Sequence, residues 1–324
     1  MAVSRSWKPA PAIEGPFSVT LDDVAGLNQV FSDAFTERYR RDGMVGVRVP
    51  FLNPVVWRYA IEDAAAGALC WRTPHGDVAA FNMVHRSGTE GWMGPLAVRQ
   101  DYQAVGIGKE VVRRGIEWLK DSGATVIGLE TMPRTLDNIG FYSSLGFVPG
   151  RLTLTTTLEA ANTGLPPRLF GRLSSLEKEH ALVECRTLLD DLLPGYDHTR
   201  EIALTDELSV GDTVLLYDAN VLAGFALCHT VPLVEGRVRE ELRVLKLVLS
   251  DASHLDAMVA TLRDFARRCG TRRVAIRVQG EYAAAYQQLI ALGGRVRWSD
   301  LRMSLAGYEE RRPARGIVLS NWEI

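Results

Sequence analysis

Apolar and polar positions in the first half of the chain alternate between strand and helix spacing. Residues 17–20 form a short apolar run that predicts a strand. The helix predicted after it carries apolar side chains three or four residues apart, at Val24, Leu27, Val30, Phe31 and Phe35. The apolar runs 66–71, 78–84 and 92–98 follow, joined by segments rich in turn-forming residues. This pattern predicts an antiparallel meander.

A second group of elements is predicted after Gly106. The helix that begins there has an apolar stripe at Ile107, Val111, Val112, Ile116 and Leu119. We predict a strand at 125–129, a helix at 136–145 and a threonine-rich strand at 151–158. Residues 37–62, which lie before the meander, show no clear period.

The same order of elements recurs in the second half, after a linker-like segment at 161–167. The elements predicted there are a helix at 174–193, strands near 213–217, 221–230 and 240–249, a helix at 253–269, a strand at 273–278, a helix at 281–292 and a strand at 294–305. Order and lengths match although few residues do, so we expect two copies of one α/β unit. The expected boundaries are a loose leader at 1–16, a first unit at 17–160, a linker at 161–170 and a second unit at 171–324.

Composition narrows the class of protein. The 324 residues are 47% hydrophobic and 23% charged, and neither a membrane-spanning run nor the apolar core of a signal peptide is found. A net charge of -2 argues against a nucleic-acid binder. The four cysteines are far apart, and the six histidines lack metal-binding spacing. We therefore expect a cytoplasmic protein with no metal site and no nucleic-acid or membrane partner, and leave a homodimer open.

Two glycines, Gly106 and Gly108, stand where a predicted strand gives way to a helix. Glycine at such a junction lets the backbone approach a ligand, and the free amides of a helix N-terminus attract phosphate. A dinucleotide fingerprint would need a third glycine where Val111 stands, and a nucleotide-binding P-loop would need one at Gln103. Both of those readings fail on residue type.

The loop instead resembles that of the Gcn5-related N-acetyltransferases, the GNAT family. The segment QAVGIG at 103–108 is similar to the family's Q/R-x-x-G-x-G/A loop, and NIGFYSSLGF at 138–147 is similar to its later aromatic-Tyr and LeuGlyPhe motif. The resemblance covers residues 17–158. It implies an α/β (α+β) fold of two tandem GNAT-like units, each with a mixed, mostly antiparallel central sheet flanked by helices.

The resemblance also implies acetyl-CoA as co-substrate. Its pyrophosphate would be wrapped by the loop residues Gln103, Ala104, Val105, Gly106, Ile107, Gly108 and Lys109. The pantetheine arm would pair with the main chain of Leu96, Ala97 and Val98. In many relatives an asparagine contacts this arm, and the chain has Thr135 at that position. We expect Asn138, one helical turn later, to make the contact instead.

Amide formation from a thioester needs a proton acceptor for the amine and a proton donor for the leaving sulfur. The resemblance implies that Tyr142 is the donor, although packing with Phe141 and Phe147 also accounts for it. Glu130 is the expected base, because a Leu-Glu pair precedes the tyrosine at the same spacing in ribosomal-protein alanine acetyltransferases. Desolvation would raise its pKa. A solvated strand-end glutamate, or one that braces the loop, is an equal alternative.

Another branch of the family carries its base on the strand before the loop, at the position of Trp92, which cannot serve. Glu90 and His85 lie nearby in the sequence, and we expect both on a hairpin surface. The acceptor should contact the 32–60 region, where Phe35, Tyr39, Trp57 and Tyr59 would form a pocket or simply a buried cluster.

The second unit lacks the glycine pair and the tyrosine. Its counterpart of the loop, SDASHLD at 250–256, carries acids that would repel phosphate. We expect it to be degenerate, as structural support or as a regulator. The sequence thus predicts an acetyl-CoA-dependent N-acetyltransferase acting by direct attack on a small-molecule amine or a peptide N-terminus. A non-catalytic acyl-CoA or ligand sensor, and a transferase using another acyl-CoA, stay open.

Overall fold

Most of the predicted elements are present in the computed structural model, which describes residues 12–323. The first half contains β1 (Glu14–Ser18), α1 (Val24–Arg41), α2 (Pro54–Ala64), β2 (Ala68–Arg72), β3 (Val78–Ser87), β4 (Glu90–Val98), α3 (Ile107–Asp121), β5 (Val126–Thr131), α4 (Leu136–Ser143) and β6 (Phe147–Glu159). The second half contains β7 (Arg168–Leu169), α5 (Ser175–Leu192), α6 (Thr199–Glu207), β8 (Gly211–Asp218), β9 (Val221–His229), β10 (Glu241–Leu249), α7 (Leu255–Arg268), β11 (Arg273–Gln279), α8 (Ala283–Ala291), β12 (Arg295–Leu305) and β13 (Ile317–Ser320).

Four elements were not predicted: α2, α6, β13 and the short β7, which lies in the segment expected to be a linker. The start of α2 carries a helix signal, since the Asn53 side chain accepts a hydrogen bond from the Val55 amide and Pro54 occupies the first turn. Strand β1 begins at Glu14, within the leader expected at 1–16. Residues 1–11 of that leader lie outside the described residues.

The described strands form one sheet in the order β1-β2-β3-β4-β5-β12-β6-β11-β10-β9-β8-β7, with β13 alongside β10. The predicted meander is confirmed, because β2, β3 and β4 pair antiparallel in sequence order. Strands β4 and β5 pair in parallel, and so do β10 and β11. The fold is thus a mixed, mostly antiparallel α/β sheet flanked by helices.

The two halves exchange strands at the centre of this sheet. Strand β12 of the second half lies between β5 and β6 and is antiparallel to both. In turn, β6 of the first half lies between β12 and β11, again antiparallel to both. The two halves of the sheet therefore correspond strand by strand. From one edge the order is β1 to β5 and then β12, and from the other edge it is β7 to β11 and then β6. Each half completes the sheet of the other.

Helix α3 packs its predicted apolar stripe on the sheet, and all five stripe residues are buried. Its ends are set locally: Gly106 precedes the first turn, and Gly123, in the left-handed conformation, follows the last. Together with α4 this helix fixes one face of the first unit. Among the described helices, none has the length and hydropathy needed to cross a membrane.

Candidate active site

The parallel pair β4 and β5 separates part-way along its length. Residues 90–93 of β4 pair with 126–129 of β5, and beyond Met93 the strand β4 pairs, among the described residues, only with β3. The separation begins at the cis peptide Gly94–Pro95, opposite a shift in the β3 register. The edge of β4 that carries Leu96, Ala97 and Val98 therefore faces no strand on the β5 side, as a groove for an extended ligand requires.

The loop after β4 directs main-chain amides outward at the start of α3. Gly106 has φ +100° and Ala104 has φ +61°, both in the left-handed region. Within the described part of the chain, nothing accepts a hydrogen bond from the amides of Val105, Gly106, Ile107 or Gly108. The Lys109 amide was expected to join them but donates to the Gly106 carbonyl at 3.0 Å. Four main-chain amides are therefore available to an anion at this positive helix end.

The two glycines serve this loop in different ways. A Cβ at Gly106 would meet no described atom within 4 Å, so its backbone angle, and not crowding, calls for glycine. A Cβ at Gly108 would lie 3.4 Å from the ring of Phe141 on α4. The side chain of Gln103 donates to the Val98 carbonyl at 2.8 Å. Gln103 thus braces the loop against the end of β4.

Tyr142 lies on α4 with only 7% of its surface exposed. Its ring packs edge-on against Phe141 and Phe147, with centroids 5.1 and 6.1 Å away. Burial raises the pKa of its hydroxyl well above the usual value, so the group is protonated at neutral pH. The aromatic ring of Tyr142 is therefore part of the core, as the packing interpretation expected. A protonated hydroxyl in the first unit also suits a proton donor.

Glu130 lies in a buried ion-pair network, which contradicts the raised pKa expected of it. Its carboxylate accepts hydrogen bonds from Arg277 at 2.6 Å, from Arg302 at 2.9 Å and from the Thr153 hydroxyl. Burial alone would raise the pKa of Glu130, but the two guanidinium groups outweigh it and the pKa is lowered. A carboxylate held in this way is a poor proton acceptor, and it joins β5 to the exchanged strand β12.

Glu90 and His85 are also placed differently from expectation. Both were expected on a hairpin surface, and both are fully buried. Glu90 accepts hydrogen bonds from the Ser320 hydroxyl and the Trp322 indole, each at 2.8 Å. His85 contacts Asp63 through Nδ1 at 2.5 Å and stacks on Trp92 with centroids 4.0 Å apart. Glu90 thus joins the two halves of the chain, whereas the contacts of His85 lie within the first half.

Thr135, which stands where many relatives have asparagine, makes a contact away from the groove. The Thr135 hydroxyl donates to Asp42 at 2.6 Å and so ties the start of α4 to the end of α1. Asn138, half-buried on α4, lies 3.5 Å from the Thr131 hydroxyl at the end of β5. Asn138 therefore stands beside the groove, whereas Thr135 is engaged elsewhere. In the 32–60 region, Trp57 and Tyr59 are buried and Phe35 is partly buried in the apolar core.

The equivalent groove of the second unit is filled by the chain itself. Strand β10 pairs with β11 over residues 241–244, and the next stretch, 246–249, pairs antiparallel with β13. Tyr282 exchanges hydrogen bonds with both main-chain groups of Val318, at 3.0 and 3.2 Å. The amide of Ser253, just before α7, is capped by the Asp251 side chain at 2.9 Å. The features that stand open in the first unit are occupied in the second.

Fold and site together define an α/β protein of two similar halves, in which an open edge of β4 lies next to free amides at the start of α3. Residues 28–147 match the family model described as "Acetyltransferase (GNAT) family". A solved GCN5-related N-acetyltransferase from Sphaerobacter thermophilus is similar over 98% of this chain and 100% of its own, with a TM-score of 0.57 and 13% identity. A tandem GNAT protein from the clavulanic acid biosynthesis pathway is similar over 90% and 98%, with a TM-score of 0.58 and 13% identity.

Residues 28–147, in the first half of the chain, thus match the GNAT acetyltransferase family, and the fold of the chain is similar to those of these solved proteins. A search of curated proteins found no match. Among the described residues, no group of three or more histidine, cysteine, aspartate or glutamate side chains is arranged to hold a metal ion.

Proposed function

We propose that the first unit transfers an acetyl group from acetyl-CoA to a primary amine. The observation that carries this proposal is the pairing of four free amides at 105–108 with the open edge of β4. An extended substrate that ends in a diphosphate fits both features at once: the amides suit the diphosphate, and the strand edge suits the pantetheine amides. Leu96, Ala97 and Val98 would lie along the arm, with Asn138 opposite them.

In the reaction we propose, the amine nitrogen attacks the thioester carbonyl carbon directly. The carbon–sulfur bond breaks as the carbon–nitrogen bond forms. Tyr142 donates its hydroxyl proton to the leaving sulfur and recovers a proton, through solvent, from the amine nitrogen. Its raised pKa supports this role, because the hydroxyl carries its proton throughout the neutral range.

The second unit takes no part in coenzyme binding under this proposal. Strand β13 occupies the place of a pantetheine arm, and Asp251 both caps the turn that precedes α7 and adds a negative charge where phosphate would have to lie. We therefore propose one coenzyme site per chain, with residues 17–160 as the catalytic unit and residues 171–324 as a degenerate partner.

Calorimetry with acetyl-CoA tests the site. We expect one equivalent bound per chain, and two equivalents would contradict the assignment of the second unit. A screen of primary amines with acetyl-CoA and succinyl-CoA, followed by release of free coenzyme A, tests the reaction. Turnover with acetyl-CoA supports the transferase, whereas tight binding without turnover of any amine would indicate a sensor.

A further inference from the structure

A cavity of about 200 Å³ lies at the junction of the two units, on the sheet face opposite α3. Its wall comes almost entirely from the second half of the chain, and Thr155 is the contribution of the first. The lining residues that matter here are Arg277, Trp298, Asn321, Glu323 and Leu233. The large side chains Trp298 and Leu233 are 41% and 38% exposed, so the cavity has an apolar rim that is open to solvent.

The C-terminal segment after β13 connects this cavity to the separated strands. Trp322 lies between two lining residues, Asn321 and Glu323. Its ring packs directly against Gly128 on β5, and a Cβ added at Gly128 would lie only 2.0 Å from a ring atom of Trp322. Its carbonyl lies 3.7 Å from the corresponding position at Gly94, where β4 leaves β5. The same C-terminal segment therefore lines the cavity and contacts the point at which β4 leaves β5.

Asn321 provides an unsatisfied acceptor in the cavity wall. The residue is 7% exposed, and its side-chain Oδ1 has no hydrogen-bond partner among the described residues. Its main chain is fixed, because its amide donates to the Leu245 carbonyl at 2.9 Å. A buried amide oxygen without a donor is costly, and a ligand N–H group would satisfy it.

Two carboxyl groups, Glu241 and Glu323, and two guanidinium groups, Arg243 and Arg277, line the cavity. Arg277 contacts three carboxylates: Glu130 at 2.6 Å, Glu323 at 2.8 Å and Asp300 at 3.0 Å. Arg302 shares Glu130 with Arg277. The Glu323 side chain is 48% exposed, so its carboxylate can also accept a hydrogen bond from a ligand ammonium group.

We infer that this cavity is the acceptor site, and that Asn321 and Glu323 of the C-terminal segment hold the amino group of a small, apolar-bodied primary amine. The inference rests on the proposed function. The volume lies below the roughly 300–1,000 Å³ of common small-molecule sites, which favours a compact amine over a protein N-terminus. Trp298 and Leu233 would contact its apolar body. The second unit then supplies the acceptor site of a reaction carried out by the first.

Saturation-transfer NMR on the full-length protein, without coenzyme, tests this inference independently of acetyl-CoA binding. The probes are benzylamine, the anion benzoate and the peptide trialaninamide, whose N-terminus is free. We expect benzylamine to bind, and to bind more tightly than either of the others. Glu323→Gln and Asn321→Leu should each weaken benzylamine binding about tenfold, because a charge-assisted or buried hydrogen bond is lost.

The matched control is Glu309→Gln, which alters an exposed glutamate that bonds the Gly307 amide, and its benzylamine affinity should equal that of the wild type. No benzylamine binding, tighter binding of benzoate or trialaninamide, or equal affinity in all variants would overturn the inference. If the wild-type protein bound no acetyl-CoA in calorimetry, the proposed function would be overturned instead. The two failures are therefore distinguishable.

Discussion

Glu130 and Arg302 stand directly opposite each other in the register of β5 and β12, and their side chains meet at 2.9 Å. The carboxylate comes from the first half of the chain and the guanidinium from the second. Both are almost fully buried, with 1% and 4% of their side-chain surface exposed. The residue that resemblance suggested as a base is therefore a link between the two units.

Replacing Glu130 should cost stability. Glu130→Gln leaves Arg277 and Arg302 buried with one fewer countercharge, and we expect a loss of about 3 kcal/mol in the free energy of unfolding at pH 7. The pKa of Glu130 is lowered in the folded state, so its stabilising effect is present above the ordinary value of 4.5 and is lost as the pH falls. Denaturant unfolding at pH 7 and pH 4 should show the difference between wild type and variant shrinking in acid.

The control for that experiment is Glu117→Gln, which removes an exposed partner of Arg114 on α3 and should cost less than about 0.5 kcal/mol. If Glu130→Gln instead left stability unchanged and removed the acid limb of the pH–rate profile, Glu130 would be the base after all.

Removing the Tyr142 hydroxyl should slow chemistry without weakening coenzyme binding. No described residue forms a hydrogen bond with this hydroxyl, so Tyr142→Phe leaves packing intact, while we expect turnover to fall on the order of 10²–10⁴-fold. Single-turnover kinetics and calorimetry measure the two effects. Tyr308→Phe, at a ring packed on the same apolar cluster, is the control and should retain full turnover. Unchanged turnover in Tyr142→Phe would remove the residue from the mechanism.

A side chain at Gly106 should weaken acetyl-CoA binding. Gly106→Ala forces a left-handed alanine, which costs about 1–2 kcal/mol of stability, and brings a methyl group to the amides that would hold the diphosphate. Gly76→Ala is matched, because Gly76 has φ +89° and equally open surroundings but lies in the turn before β3. Calorimetry should show reduced coenzyme affinity in the first variant only. Equal affinity in both would contradict the loop assignment.

The carboxyl of Glu323 gives a pH signature of the cavity. Burial, together with Asp300 and Glu130, raises its pKa to about 7 although Arg277 opposes the change. Because the carboxyl pKa is raised, the folded state loses stability as the pH rises from about 4.5 through 7. Glu323→Gln should therefore raise the melting temperature at pH 8 and not at pH 5. About half of the side chain is accessible to water, which limits the expected rise to about 2 °C. A lower melting temperature at pH 8 would show that the pair with Arg277 dominates.

The parts of the site that the sequence predicts are those set by neighbouring residues. Gly106 and the stripe of α3 specify a loop and a helix locally, and both are present. Glu130 could not be understood in this way, because Arg277 and Arg302 lie 147 and 172 residues further along the chain. Glu90 and His85 looked like hairpin residues, but the hairpin is covered from both sides, partly by the second half. Side chains of one unit acquire their environment from the other.

Strand exchange also constrains how the protein can be made. When a ribosome has synthesised the first 160 residues, the catalytic unit still lacks β12, which belongs in the interior of its sheet. Residues 295–305 leave the ribosome long after residue 160, so completion of the catalytic unit must wait until they have been synthesised. A premature stop codon anywhere before Leu305 would therefore disable both units, even though the family motifs had already been made.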